Sequence, residues 1–143
     1  MTKLTTRLTI ATVALVVTAG AALAQTMTAR IPFEFRAGNR VMEPGTYQIG
    51  WDYHLSASPL FLVQNAHSGQ QAVLLPQARV DPQKAWAAEG SPKLAFACAS
   101  GSCALAELWD GAGSHAYTFH SPRRGKDEAA YLRVIPMQRD KGE

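Results

Sequence analysis

Between residues 31 and 51 the chain alternates, turns and alternates again. Ile31, Phe33 and Phe35 fall on one side of a period-two pattern, and Pro32, Glu34 and Arg36 on the other. The spacing predicts a half-buried strand over 31–36. Pro32 has no amide to give to a ladder, which places this strand at the edge or beginning of a sheet. Ala37-Gly38-Asn39 reads as a turn and Val41-Met42 as a short extended piece. Glu43-Pro44-Gly45-Thr46 fits a type II turn, with Pro44 presetting φ and Gly45 taking a positive φ at the third position. Tyr47, Ile49 and Trp51 then resume the alternation.

The same grammar continues. Two apolar runs at 60–63 and 72–75, joined by Asn65-Ala66-His67-Ser68-Gly69, predict a hairpin whose strands are buried on both faces. The segment 93–109 predicts a second hairpin, with Leu94, Phe96 and Cys98 on one face and Ser100-Gly101 at its tip. Residues 115–120 and 129–136 supply two further strands, although 126–135 also fits the start of a helix. Residues 81–92 read as a long loop or a single helical turn. Short strands at this spacing predict an all-β fold, a small antiparallel sandwich or barrel of about seven or eight strands.

What precedes residue 25 belongs to a different pattern. Lys3 and Arg7 sit in a short basic start, an uncharged apolar run follows to about Ala19, and Ala22-Leu23-Ala24 supplies small residues for cleavage. These are the parts of a secretory signal peptide, expected as a helix over 1–24 that is cleaved after Ala24. Gln25 stands where a lipoprotein needs Cys, so neither a lipid nor a stable membrane anchor is expected after cleavage. Residues 25–143 then form one β domain, with an irregular C-terminal part from about 121, in the periplasm or outside the cell.

Charge adds little to this picture. The whole chain carries a formal +3. Removing Lys3 and Arg7 lowers it to +1, and the basic run at 123–126 is followed at once by Asp127 and Glu128. Nucleic-acid binding, which relies on clustered excess Lys and Arg, is therefore not expected.

Pro-Phe-x-Phe at 32–35, Gly38, Pro-Gly-Thr-Tyr at 44–47 and the Leu105 to Trp109 segment after a hairpin resemble an uncharacterised family of secreted β-rich proteins from soil bacteria. The resemblance covers most of 29–110. It implies export and an all-β fold, with no assigned activity and no catalytic residue to carry over. The pair Cys98 and Cys103 departs from that group.

The chemistry available to the chain is sparse. His54, His67, His115 and His120 have none of the spacings of familiar metal sites. There is no Gly-x-Ser-x-Gly turn and no phosphate-cradling loop. No cofactor is expected. Glu107 is the carboxylate to weigh: simple alternation puts it on the apolar face with Leu105, Cys103 and Leu94, where it would need a partner, and the alternative is a place at the rim, paired with a residue such as Lys93 or Arg133. Trp51, Tyr53, Trp86 and Trp109 are candidate binding aromatics for an envelope protein or carbohydrate, and Trp86, in the loop, is the most available. Cys98 and Cys103 are the two cysteines of the chain, so an exported product is expected to join them across the hairpin mouth. The reading is an exported, non-enzymatic β module with a structural or binding role. The alternative is a small extracytoplasmic hydrolase or metal-dependent enzyme built from dispersed residues such as His54, His67, Glu107 and Asp110.

Overall fold

The computed structural model describes residues 26–52, 58–121 and 130–140. The expected signal helix, its cleavage site, Tyr53, His54 and the basic run at 123–126 lie outside the described residues. The described chain is mostly β and forms one nearly closed, barrel-like sheet.

Its strands are β1 (Thr26–Ile31), β2 (Phe35–Ala37), β3 (Arg40–Met42), β4 (Gly45–Asp52), β5 (Leu60–Asn65), β6 (Gln71–Leu74) and β7 (Ala78–Val80), then, after the helix α1 (Lys84–Glu89), β8 (Lys93–Ala99), β9 (Ser102–Trp109), β10 (Ala116–Thr118) and β11 (Tyr131–Arg139). Along the sheet they run β3-β2-β9-β8-β11-β1-β4-β5-β6, with β10 joining β9 to β7. Side chains span the remaining opening between the first and last strands. The Arg40 guanidinium donates to the Gln71 carbonyl at 3.1 Å, and Gln70 Nε2 donates to the Val41 carbonyl at 2.9 Å. Closing a sheet in this way removes edges that would otherwise recruit other strands.

The interior is lined by the inward residues of nearly every strand, including Met27, Ile31, Phe35, Tyr47, Ile49, Phe61, Leu94, Phe96 and Leu108. Aromatic edges meet faces at its centre: Phe35 packs on both Tyr47 and Phe96 with ring centroids 5.1 and 5.2 Å apart. A smaller cluster sits on the outer surface. Trp86 of α1 is buried there with Ala95, Trp109 and Ala116, the two alanines leaving room for the indoles. The helix stops at Gly90, whose φ of 67° lets its amide turn back to the Trp86 carbonyl at 2.9 Å. The segment that reads as a loop or single turn is therefore a short helix that fastens one wall.

Several expectations are corrected. The strand expected over 31–36 is two strands: β1 ends at Ile31 and β2 begins at Phe35. Pro32 stops β1, which lies inside the sheet between β11 and β4, so the proline marks the end of an interior strand and not an edge. No type II turn places Gly45 at positive φ. Gly45 opens β4 opposite Ile31, and the chain bends at 43–44 with the Tyr47 hydroxyl donating to the Glu43 carbonyl. Glycine at 45 eases a close approach, because an added Cβ would lie 3.0 Å from Asn65 Nδ2 and the amide would have to give by a few tenths of an ångström.

The 60–63 and 72–75 runs are buried on one face only. Phe61, Val63, Ala72 and Leu74 point inward, while Val73 and Leu75 are 58% and 69% exposed. An antiparallel pair at the side of a barrel has water on its outer face, so apolar outer residues do not imply burial. Residues 131–139 are strand throughout, and the region after 121 supplies a strand at the middle of the sheet.

Candidate functional site

The hairpin of β8 and β9 turns through Ser100 and Gly101, with φ of 51° and 77°. Both positive values match the twist of a two-residue hairpin turn. Ala99 then pairs with Ser102, and Cys98 faces Cys103 with Cα atoms 4.0 Å apart. The expected disulfide is formed, and both cysteines are buried. Such a bond is consistent with an oxidising, extracytoplasmic location.

Glu107 is not where alternation puts it. A bulge between Ala95 and Phe96 makes Phe96 face Leu105 while Ala95 faces Glu107, leaving Ala106 as the extra residue. The bulge moves Glu107 from the core face to the outer face, beside α1. Its side chain bonds to Gln83, and partial burial raises its carboxyl above the usual range against that bond. The partners expected for it are engaged elsewhere. Lys93 Nζ pairs with Glu89 at 2.6 Å, which holds the Glu89 carboxyl below its usual range, and Arg133 lies 4.0 Å above the Phe33 ring.

The three aromatic candidates among the described residues are taken up by the protein itself. Trp51, Trp86 and Trp109 are each about 4% exposed. Trp51 packs on Phe61, and Trp109 Nε1 donates to the Gly113 carbonyl at 2.9 Å. Trp86, expected to be the most available, is the anchor of α1. His67, Glu107 and Asp110, the described members of the dispersed polar set, do not converge either. His67 lines a shallow cleft with Arg30 and Pro44, whereas Asp110 lines another with Arg139 and Asp140. Asp110 Oδ1 accepts from the amides of Ala112 and Gly113 at 3.0 and 2.6 Å, closing its own turn. Among the described residues no three His, Cys, Asp or Glu side chains are grouped to hold a metal, and no helix is long and apolar enough to cross a membrane.

The feature that stands out is a split in the barrel wall. β11 pairs with β8 from Tyr131 to Pro136, but with β1 only at 137–139. Two prolines account for the break. Continuing the β1–β11 register would set Pro136 against Arg30 and Val134 against Pro32, and neither proline has an amide to donate.

Backbone parity shows what is left open. The Met137 amide donates toward β8, to the Pro92 carbonyl at 3.0 Å, and the Asp140 amide donates toward β1, to the Thr26 carbonyl at 3.2 Å. Residues two apart in a strand direct their backbone groups to the same side. The amides and carbonyls of Leu132 and Val134 therefore point into the split, and they have no ladder partner among the described residues.

The side chains there are apolar: Tyr131, Leu132 and Val134 are 54%, 53% and 41% exposed. Arg133, between them, faces inward onto Phe33, which in turn packs edge-on against Phe96 at 5.0 Å. The sequence offers this segment as a strand or the start of a helix, and alternation gives no sign of its open edge. The trace of that edge in the sequence is a pair of prolines, Pro32 just past β1 and Pro136 within β11. No family model, no curated protein and no solved structure matches the chain.

Proposed function

We propose that this chain is an exported, non-enzymatic β module that works by accepting an extended strand along the Tyr131–Val134 edge. The observation that carries the reading is the coincidence, on one short segment, of exposed apolar side chains with backbone groups at Leu132 and Val134 that have no ladder partner among the described residues. Strand addition uses both features: the ladder supplies affinity, and alternate side chains supply selectivity. A protein strand suits the site better than a carbohydrate does, because Trp51, Trp86 and Trp109 have their rings inside the fold. The buried disulfide supports export, as do the basic start, the apolar run and the Ala22-Leu23-Ala24 triplet. The resemblance to secreted soil-bacterial proteins belongs to the same proposal.

Amide hydrogen exchange tests the edge. In dilute protein the amides of Leu132 and Val134 should exchange rapidly, while those of Tyr131 and Arg133, directed at β8, are protected. A short peptide alternating valine and lysine should slow the first pair. Strong protection of Leu132 and Val134 in the dilute protein without peptide would overturn the reading. N-terminal sequencing of material from the native host tests export, with Gln25 expected as the first residue and an intact Met1 counting against it.

A further inference from the structure

We infer that the strand accepted at this edge is the same segment of a second copy of the chain, paired antiparallel about a two-fold axis through Leu132. The inference rests on the edge-binding reading above and adds the identity and register of the partner. An isologous contact requires a self-complementary patch, and the parity of β11 provides one. With Leu132 opposite Leu132 of the second copy, both residues direct amide and carbonyl into the gap and exchange hydrogen bonds. Ala130 and Val134 do the same with each other across the axis.

Charge selects this register over its neighbours. Centring the pair on Arg133 would bring two guanidinium groups together in the closely spaced kind of antiparallel pair, where like charges are destabilising. Centring it on Val134 would set Leu132 against Pro136, which has no amide to exchange. Centring it on Leu132 instead places Arg133 opposite Tyr131 on the inner face, adding a second aromatic partner to a guanidinium already stacked on Phe33. The outer face then gathers Leu132 and Val134 from both copies into one apolar strip. So short a pairing buries less than the roughly 1,200 Å² of a standard interface, so the dimer belongs to the weak, reversible class.

Sedimentation velocity over a wide concentration series should show the average mass of the full exported chain rising from monomer toward dimer. Leu132→Lys should abolish that rise by facing two ammonium groups across the axis, whereas Val73→Lys, at an exposed position on β6, should leave it unchanged. Far-ultraviolet circular dichroism confirms that each variant is folded.

Register has its own readout. Facing residues in a hydrogen-bonded pair have Cα atoms about 5.5 Å apart, within the span of a disulfide. Leu132→Cys should therefore form a covalent dimer under mild oxidation, and Arg133→Cys should not. Cross-linking of Arg133→Cys in preference to Leu132→Cys would overturn the register. A monomer at every concentration would overturn self-pairing. If that monomer still binds the valine and lysine peptide at Leu132 and Val134, the edge reading survives and the partner is a foreign strand. If it does not, both fail.

Discussion

β8 and β11 are neighbours in one ladder, yet they have opposite relations to water. β8 buries all but Lys93 and Ala97, whereas the first four residues of β11 are all exposed. What separates them is what lies on the outer face and along the far edge. Trp86 of α1 covers the outer surface of β8 at Ala95, and β9 holds its far edge, tied at the tip by a disulfide. Nothing among the described residues covers Leu132 and Val134, and two prolines end the ladder on their far side. A strand is thus made interior or exterior by its neighbours, not by the apolar content of its own residues.

Substitution of one large apolar residue on each strand should expose this contrast most strongly. Phe96 on β8 is fully buried against Phe33 and Phe35, so Phe96→Ala should cost about 3–5 kcal/mol in denaturant unfolding. Leu132→Ala, measured on dilute monomer, should change stability by no more than about 0.5 kcal/mol. Equal losses at the two sites would mean that β11 is covered after all.

Removing the cover from β8 should bring it closer to its neighbour. Trp86→Ala takes the anchor from α1 and is expected to destabilise by about 3 kcal/mol, while Ala95 becomes accessible to water. A thermal unfolding curve indistinguishable from that of the parent chain would show that the helix is not what makes the β8 wall interior.

Reduction of the Cys98–Cys103 bond should have a smaller effect. Closing so short a loop stabilises by about 2 kcal/mol in the chain-entropy model, so the reduced protein should melt at a lower temperature and remain folded. Complete unfolding on reduction would make the disulfide, and not the packing of β8, the source of the contrast.

The smallest expected effect comes from Glu107, beside α1 on the wall that β8 shares. Burial raises its carboxyl, so the folded chain holds this proton to a higher pH than the unfolded chain does. Its stabilising contribution is complete below the unfolded pKa and is lost as pH rises through the folded one. Glu107→Gln keeps a hydrogen-bonding group for Gln83 without the charge. It should raise the melting temperature at neutral pH by a fraction of the disulfide effect, and the difference should shrink toward pH 4. A variant less stable than the parent at neutral pH would mean that the ionised carboxylate is favoured there.

Local patterns carried much of the fold. Alternation at Tyr47, Ile49 and Trp51 identified the inward face of β4, and Ser100-Gly101 located the tip of the β8–β9 hairpin. The pairing of Cys98 with Cys103 followed from that tip and from there being two cysteines. Each of these rests on the period of an extended backbone or on the φ that a turn allows, and both are properties of a few consecutive residues.

The readings that failed needed information from distant residues. Glu107 changed face because one extra residue bulges opposite Ala95 and Phe96, and a period-two count has no means of registering it. Trp86 reads as an exposed loop aromatic until Ala95, Trp109 and Ala116 are brought beneath it. The turn context gives Gly45 a positive φ, but the constraint on this position comes from Asn65, twenty residues on, whose Nδ2 would lie 3.0 Å from an added Cβ. The open edge of β11 is a similar case. Pro32 and Pro136 are visible in the chain, but they end the ladder between β1 and β11 only because these strands lie side by side in a register that meets both of them. Strand neighbours and registers are chosen by burying one common core, a sum over the whole molecule that no short window of residues contains.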